Sequence, residues 1–208
     1  MTGFPTHYAR LPLVAILRGL KPDEAIAIGE ALVLEGFGLI EVPLNSPDPY
    51  RSIEVMAKAF AGKALIGAGT VLTAKDAETV ANAGGEIIVA PNFNPDVASV
   101  ARARSLAYLP GVGTMTEAFA ALAAGAAALK LFPAEMIPPS AVKAMLAVLP
   151  RGTRLLPVGG IDETTMAPYV KAGATGFGLG SAIYKPGLSA GDIGARARSL
   201  KTAFQALA

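Results

Sequence analysis

The sequence contains no cysteine, and its single histidine, His7, lies near the N-terminus. The absence of cysteine excludes both a disulfide framework and a thiolate metal site. One histidine also argues against a zinc or iron site built on several histidines. We therefore expect chemistry that needs no metal and no other cofactor.

Excess charge of one sign is also lacking, since 18 basic residues nearly balance 16 acidic ones and leave a net charge of +2. So small an excess argues against nucleic acid as a partner. The longest alanine-rich run, from Ala118 to Leu129, is shorter than the ~20 residues that span a membrane, and it ends at Lys130. The N-terminus lacks the features of a signal peptide. We expect a cytoplasmic protein with small-molecule partners, without nucleic acid or membrane.

Apolar residues, in contrast, are abundant: 52% of the chain is hydrophobic and only 16% is charged. This composition leaves little polar surface, which indicates that partner subunits cover part of the apolar surface. The length of 208 residues fits one domain and is compatible with an α/β barrel. We expect a single-domain protein that forms an oligomer.

Short apolar runs alternate with helical patterns along the whole chain. Four helical stretches end in glycine just before an apolar run, in EGFGLIEVP, AGGEIIVAP, AGAAALKLFP and AGATGFGLG. Repeated βα units predict a parallel sheet, and eight of them favour a (β/α)8 (TIM) barrel over an open doubly wound sheet, although periodicity alone does not establish closure. We expect one such domain over residues 1–208 with a short leader, about 1–11. The predicted strands are 13–17, 39–42, 65–69, 87–90, 107–110, 128–132, 155–158 and 176–180.

Lys130 is a cation within the apolar run ALKLF. The strand repeat of two places Ala128, Lys130 and Phe132 on one face and the two leucines on the other. If the leucines pack against helices, Lys130 points into the barrel, where burial lowers the pKa of its amine and favours the neutral, nucleophilic form. An imine-forming lysine requires this form. The alternative is a lysine that extends to the rim or pairs with a buried acid.

Glu41 is a second charge in an apolar strand, LIEV. Lysine and glutamate are rarely fully buried unless they are paired or functional. A simple ion pair of Glu41 with Lys130 or Arg18 is one interpretation. Two inward charges at the carboxyl ends of different strands favour a nucleophile with an acid/base partner.

Other candidate site residues follow the remaining strands, where barrel enzymes place their chemistry. Glycine-rich turns after the seventh and eighth strands can bind a phosphate through backbone N–H groups, although either could be an ordinary turn. Arg18 can bind a carboxylate by a bidentate contact, or form a salt bridge at the rim. The candidates are Arg18, Thr70, Pro91, Phe132, Gly159, Gly160, Gly180 and Ser181.

The stretches PLVAILRG, IEVPLNSP, LIGAGTVL, GTMTEAFAALAAGAAALKLFPAE and VGGI carry a resemblance that covers nearly the whole chain, from Leu11 to about Leu200. The chain resembles the bacterial class I aldolases that cleave 2-keto-3-deoxy-6-phospho-sugar acids. The resemblance implies a homotrimer that forms pyruvate and glyceraldehyde 3-phosphate without a metal.

The same resemblance implies roles for individual residues. Lys130 would form the Schiff base with the keto acid, and Glu41 would move protons. Arg18 and Thr70 would help to hold the substrate, with Pro91 and Phe132 beside it. The residues that would hold the 6-phosphate are Gly159, Gly160, Gly180 and Ser181.

Two positions depart from the relatives that act on the gluconate-derived substrate. Those relatives carry an arginine where this chain has Asn45 and a threonine where it has Val158. The resemblance therefore favours the galactonate-derived C4 epimer, with the gluconate-derived one as the alternative. A barrel isomerase or epimerase, or a non-catalytic phosphosugar sensor, would share the phosphate turns, but neither would need Lys130 together with Glu41.

Overall fold

The computed structural model describes residues 3–207, which form an α/β fold with a curled parallel sheet. Its strands are β1 Leu13–Ile16, β2 Leu39–Pro43, β3 Leu65–Gly69, β4 Ile87–Val89, β5 Ala107–Leu109, β6 Gly111–Val112, β7 Leu129–Leu131, β8 Leu155–Pro157 and β9 Phe177–Leu179. Its helices are α1 Phe4–Arg10, α2 Ala25–Leu34, α3 Pro49–Ala59, α4 Ala74–Asn82, α5 Pro95–Ala103, α6 Met115–Ala123, α7 Pro139–Leu146, α8 Met166–Ala172 and α9 Ala190–Gln205, with a 3-10 helix at Ala134–Met136.

The strands pair in parallel in two hydrogen-bonded parts. One part has the order β5-β4-β3-β2-β1-β9, and the other has the order β6-β7-β8. Each predicted strand is present, which confirms the parallel α/β prediction. The predicted single strand 107–110 is wrong in one respect: it ends at Leu109, and a separate strand follows Pro110. Proline has no N–H to donate to a neighbouring strand, but the Pro110 carbonyl still accepts from the Lys130 N–H at 2.9 Å.

The glycines predicted to end four helices have that role in the structure. Gly36, Gly84, Gly125 and Gly173 have φ angles of 93°, 85°, 90° and 103°, in the left-handed region that favours glycine. Each lies between a helix and the next buried strand. These turns set where each strand begins, and so which residues reach the carboxyl ends.

The two faces of the curled sheet have different partners. Outward side chains such as Leu129, Leu131 and Phe177 join the core shared with the helices. Inward side chains form a second apolar cluster: Val14, Leu39, Leu65, Ile87, Val89, Ala107, Leu109, Ala128 and Leu156. The interior of the curled sheet is therefore a packed core, open to function only at its ends.

The predicted N-terminal leader contains the helix α1 over residues 4–10; Met1 and Thr2 lie outside the described residues. Phe4 and Tyr8 are four residues apart, so they share one helix face, and both join the inner cluster. The Tyr8 hydroxyl lies 2.6 Å from Thr175 Oγ1, just before β9. Helix α1 therefore covers the amino ends of the strands, and the carboxyl ends remain for the site.

Within residues 3–207, no helix is both long enough and apolar enough to cross a membrane.

Candidate active site

Lys130 and Glu41 both lie inside the curled sheet. Lys130 is 7% exposed and Glu41 is 2% exposed. The two leucines beside Lys130 pack in the outer core, so its predicted inward orientation is confirmed. Both charged residues line one small cavity with side chains of other strands: Val14, Ile16, Val89, Leu109, Leu156 and Val158.

Burial lowers the pKa of the Lys130 amine, and the positive charge of Arg18 lowers it further. The negative charge of Glu41 acts in the opposite direction; its influence is smaller than that of burial but larger than that of Arg18. Desolvation disfavours the charged form of a lysine. The lowered pKa favours the neutral amine, which is the form that can attack a carbonyl carbon.

Burial has the opposite consequence for Glu41 and raises the pKa of its carboxyl to about 7. The nearby positive charges of Lys130 and Arg18 oppose this shift but do not cancel it. Among residues 3–207, neither Lys130 nor Glu41 takes part in an ion pair. A carboxyl with a pKa near neutrality can both accept and donate protons at physiological pH.

Gly69 on β3 makes room for the Glu41 carboxylate. A Cβ atom at Gly69 would overlap both carboxylate oxygens of Glu41. The Glu41 Oε2 atom is buried and accepts no hydrogen bond from the described residues. Glu41 is therefore positioned by close packing against a strand residue without a side chain, and not by a hydrogen bond to its Oε2 atom.

A cleft of about 390 Å³ opens above this pair at the carboxyl ends of β1, β8 and β9. It contains most of the predicted site residues, which come from four separate strand ends: Arg18, Phe132, Gly159, Gly160, Gly180 and Ser181. The Phe132 ring centroid is 4.4 Å from Lys130 Nζ, and the same ring lines the cleft. Val158 lines both the cleft and the inner cavity.

Thr70 and Pro91 lie apart from this group. Pro91 lines a neighbouring cleft of about 340 Å³, which shares Phe132 with the first. Thr70 lines neither cleft and has a φ of 56°, unusual for threonine, at the end of β3. The structure thus brings the phosphate-turn candidates and Arg18 together but places these two at the side.

Arg18 is fixed by the loop that follows β2. Its Nη1 donates to Asn45 Oδ1 at 2.6 Å. In the same two loops, the Gly19 N–H donates to Ser46 Oγ at 3.0 Å. Asn45, singled out in the sequence only as a departure from relatives, therefore orients the guanidinium that influences both buried charges.

Sequence reasoning missed several residues of the cleft region, among them Glu135, Tyr184 and Lys185. The Glu135 carboxylate lies against the Gly159-Gly160 turn, whose φ angles are 113° and 60°. Tyr184 and Lys185 follow Ser181 and line the cleft. Glu135 is part of the FPAE run after Lys130, so its nearness to a functional strand end was a signal that could have identified it.

The described residues contain no group of three or more histidine, cysteine, aspartate or glutamate side chains placed to hold a metal ion. The site that they do form is an amine, a carboxyl and an open cleft. This arrangement can attack a carbonyl and move protons beside it.

Comparisons with known proteins agree on one family. The family described as "Aldolase: KDPG and KHG aldolase" matches residues 6–196. A protein of Rhizobium meliloti, named probable 2-dehydro-3-deoxy-6-phosphogalactonate aldolase, is 50% identical over 100% of this chain and 98% of its own length. The 2-dehydro-3-deoxy-6-phosphogalactonate aldolase of Escherichia coli is 42% identical over 94% and 96%. A solved structure described as "Native KDPGal structure" is 42% identical, with a TM-score of 0.93 over 95% and 96% of the two chains.

The packing of Glu41 on Gly69 gives a stability prediction. We expect Gly69→Ala to lower the free energy of unfolding by about 1–3 kcal/mol, because the added methyl group displaces the carboxylate. Gly180→Ala is the matched control, since a Cβ there meets nothing within 4 Å. Denaturant unfolding at one fixed protein concentration measures the free energy of unfolding of both variants and of wild type.

A double-mutant cycle identifies the cause. With Glu41→Ala, the Gly69→Ala change should cost less, because the carboxylate that it displaces is gone. If the losses of unfolding free energy caused by Gly69→Ala and by Glu41→Ala were strictly additive in the double variant, the proposed packing would be contradicted.

Proposed function

The chain belongs to the KDPG and KHG aldolase family, and we propose that it cleaves 2-dehydro-3-deoxy-6-phospho-D-galactonate to pyruvate and D-glyceraldehyde 3-phosphate. The aldolase activity follows from the family and from two relatives that match nearly the whole chain. The substrate follows from the names of those relatives together with the residues of the cleft.

The observation that carries the mechanism is the buried pair of Lys130 and Glu41. The Lys130 amine attacks the C2 ketone of the substrate, and loss of water gives a protonated imine. The C3–C4 bond then breaks, and its electron pair moves toward the imine to form an enamine. Glu41 takes up the proton of the C4 hydroxyl, directly or through a water, so that C4 becomes the aldehyde carbon. Protonation of the enamine at C3 and hydrolysis of the imine release pyruvate and restore the amine.

The cleft provides for the two anionic ends of this substrate. Arg18, oriented by Asn45, is suited to the carboxylate next to the reacting ketone. The turns at Gly159-Gly160 and Gly180-Ser181 offer backbone N–H groups and a hydroxyl to the 6-phosphate. Phe132 contacts the Lys130 amine and lines the cleft. Thr70 and Pro91 are assigned to the edge of the substrate site.

The C4 epimer is assigned from Val158. The galactonate- and gluconate-derived substrates differ only in configuration at C4, so a group near that carbon must distinguish them. Val158 lines both the cavity of Lys130 and the cleft, which is where C4 would lie. Its methyl groups provide no hydrogen-bond partner for a C4 hydroxyl.

The proposal extends to the closure of the sheet and to the assembly of the chain. The two parts of the sheet act as one (β/α)8 barrel, supported by the single residue between β5 and β6 and by a parallel bridge between Val158 and Gly178. The enzyme works in the cytoplasm as a homotrimer, supported by the apolar composition and by exposed side chains such as Leu34 at 79% and Met136 at 78%.

Reductive trapping tests the imine. We expect borohydride with pyruvate to inactivate the protein irreversibly and to label Lys130, because reduction makes the imine bond permanent. Peptide mass spectrometry locates the label. Lys143→Ala, a change on α7, should be labelled as wild type, whereas Lys130→Ala should not be. A label on Lys58 or Lys143, or none at all, would defeat this mechanism.

Glu41→Gln tests the proton transfer. We expect the variant to fold and to lose about 10²- to 10⁴-fold in kcat, the range typical of general acid-base groups, because the amide cannot take up the C4 hydroxyl proton. Steady-state kinetics and circular dichroism measure the two properties. The control is Glu86→Gln, which lies before β4 at the opposite end of the strands and should leave kcat unchanged. Full activity of Glu41→Gln would remove this residue from the mechanism.

Val158→Thr tests the choice of epimer. We expect it to raise kcat/KM for the gluconate-derived epimer relative to the galactonate-derived one by about ten- to a hundredfold, since a gained hydrogen bond is worth roughly 1–3 kcal/mol. The measurement is kcat/KM for both epimers on each protein. Val158→Ala, which removes methyl groups without adding a hydroxyl, should change both epimers alike. A wild type that strongly prefers the gluconate-derived epimer, with an unmoved ratio in Val158→Thr, would refute the assignment.

A further inference from the structure

We propose that Lys185 binds the phosphate group of the substrate and supplies the positive charge that the backbone turns cannot. The proposal rests on the proposed function, because it assigns a further residue to the same cleft. It concerns recognition of the phosphate end, which is remote from the bonds that form and break.

Lys185 lies on the segment that follows β9, four residues after Ser181. It lines the same cleft as Gly159, Gly160 and Ser181, the residues assigned to the phosphate. Its side chain is exposed, so the ammonium group can turn toward a ligand in the cleft without loss of buried contacts. No other lysine lines this cleft among the described residues.

Both neighbours of Lys185 are anchored to the loop that follows β1. The Tyr184 side chain is 3% exposed, and its hydroxyl donates to Glu24 Oε1 at 2.8 Å. Pro186 packs against Gly19 so closely that a Cβ atom at Gly19 would lie 2.7 Å from the proline ring. The backbone at Lys185 is therefore held in place while its side chain stays free to move. Such an arrangement suits a residue that contacts a ligand from a fixed point at the rim.

The charges around the turns show why a cation is needed. A phosphate monoester carries a charge of about −1.5 to −2 at pH 7. The turns offer N–H groups and one hydroxyl, and the Glu135 carboxylate lies against Gly159 and Gly160, where it would repel the phosphate. A carboxylate near a dianion is unfavourable unless a cation compensates it.

The other cations of the site are already engaged. Arg18 donates to Asn45, and Lys130 is buried with a lowered pKa. Lys185 takes part in no ion pair within residues 3–207. An ammonium group is a compact point charge that suits phosphate. Lys185 is therefore the cation available to offset both Glu135 and the incoming phosphate.

The test compares Lys185→Ala with wild type in two assays. We expect KM for the phosphorylated substrate to rise about tenfold or more, with a smaller change in kcat, because the lost contact lies away from the reacting carbons. Inorganic phosphate, used as a competitive inhibitor, should bind more weakly by a similar factor. Raising the salt concentration should reduce this difference between the two proteins.

Matched variants separate phosphate binding from other causes. Lys185→Arg should keep most of the affinity, and Lys171→Ala, an exposed lysine on α8, should behave as wild type. Labelling of Lys130 by pyruvate and borohydride should be unaffected by Lys185→Ala, since pyruvate has no phosphate. An unchanged KM together with unchanged phosphate inhibition would overturn the proposal.

Calorimetric binding of inorganic phosphate keeps this proposal distinct from the aldolase mechanism. It requires no turnover, so it reports on Lys185 even if Lys130 of the wild type fails to be labelled, a result that would overturn the imine mechanism alone. Equal phosphate affinity in wild type and Lys185→Ala would count against Lys185 alone.

Discussion

The whole site depends on the burial of two ionisable side chains in an apolar interior. Desolvation disfavours the charged forms of Lys130 and Glu41 alike, because it lowers the pKa of the amine and raises the pKa of the carboxyl. A neutral amine is the form that attacks a carbonyl, and a protonated carboxyl can donate a proton to the departing oxygen. Gly69 and Val158 matter because they keep this environment closely packed and free of polar groups.

The sequence was sufficient to predict the strands and the direction of the central lysine. In a strand, one lysine between two leucines points to the face opposite the leucines. Because the leucines pack against the helices, the lysine points into the sheet interior. The glycine that ends each of four helices likewise marks where a strand begins, and these turns are present at the predicted positions. Such signals are local in the sequence, so they can be interpreted without knowing which distant residues pack against them. The catalytic and binding roles assigned to the site residues remain predictions.

Features that depend on distant contacts could not be predicted in this way. Helix α1 is placed by Thr175, more than a hundred and sixty residues away, and a short amphipathic segment gave no sign of that partner. Lys185 resembles an ordinary surface charge in the sequence, and only the folded chain shows that it lines the cleft with the glycine turns. Pro91 and Thr70 illustrate the converse, since lying at strand ends did not bring them into the main cleft.

The closure of the amino end by α1 has a consequence for the order of events. Among the described residues Phe4 and Tyr8 cover that end, so the cleft at the carboxyl ends is the opening that the mechanism proposed above would use. In that mechanism the three-carbon fragment bound to Lys130 would be the deeper one, and the phosphorylated aldehyde would lie nearer the opening. The aldehyde would then leave first and pyruvate last. In the direction of synthesis the order would reverse, and pyruvate would bind before the aldehyde.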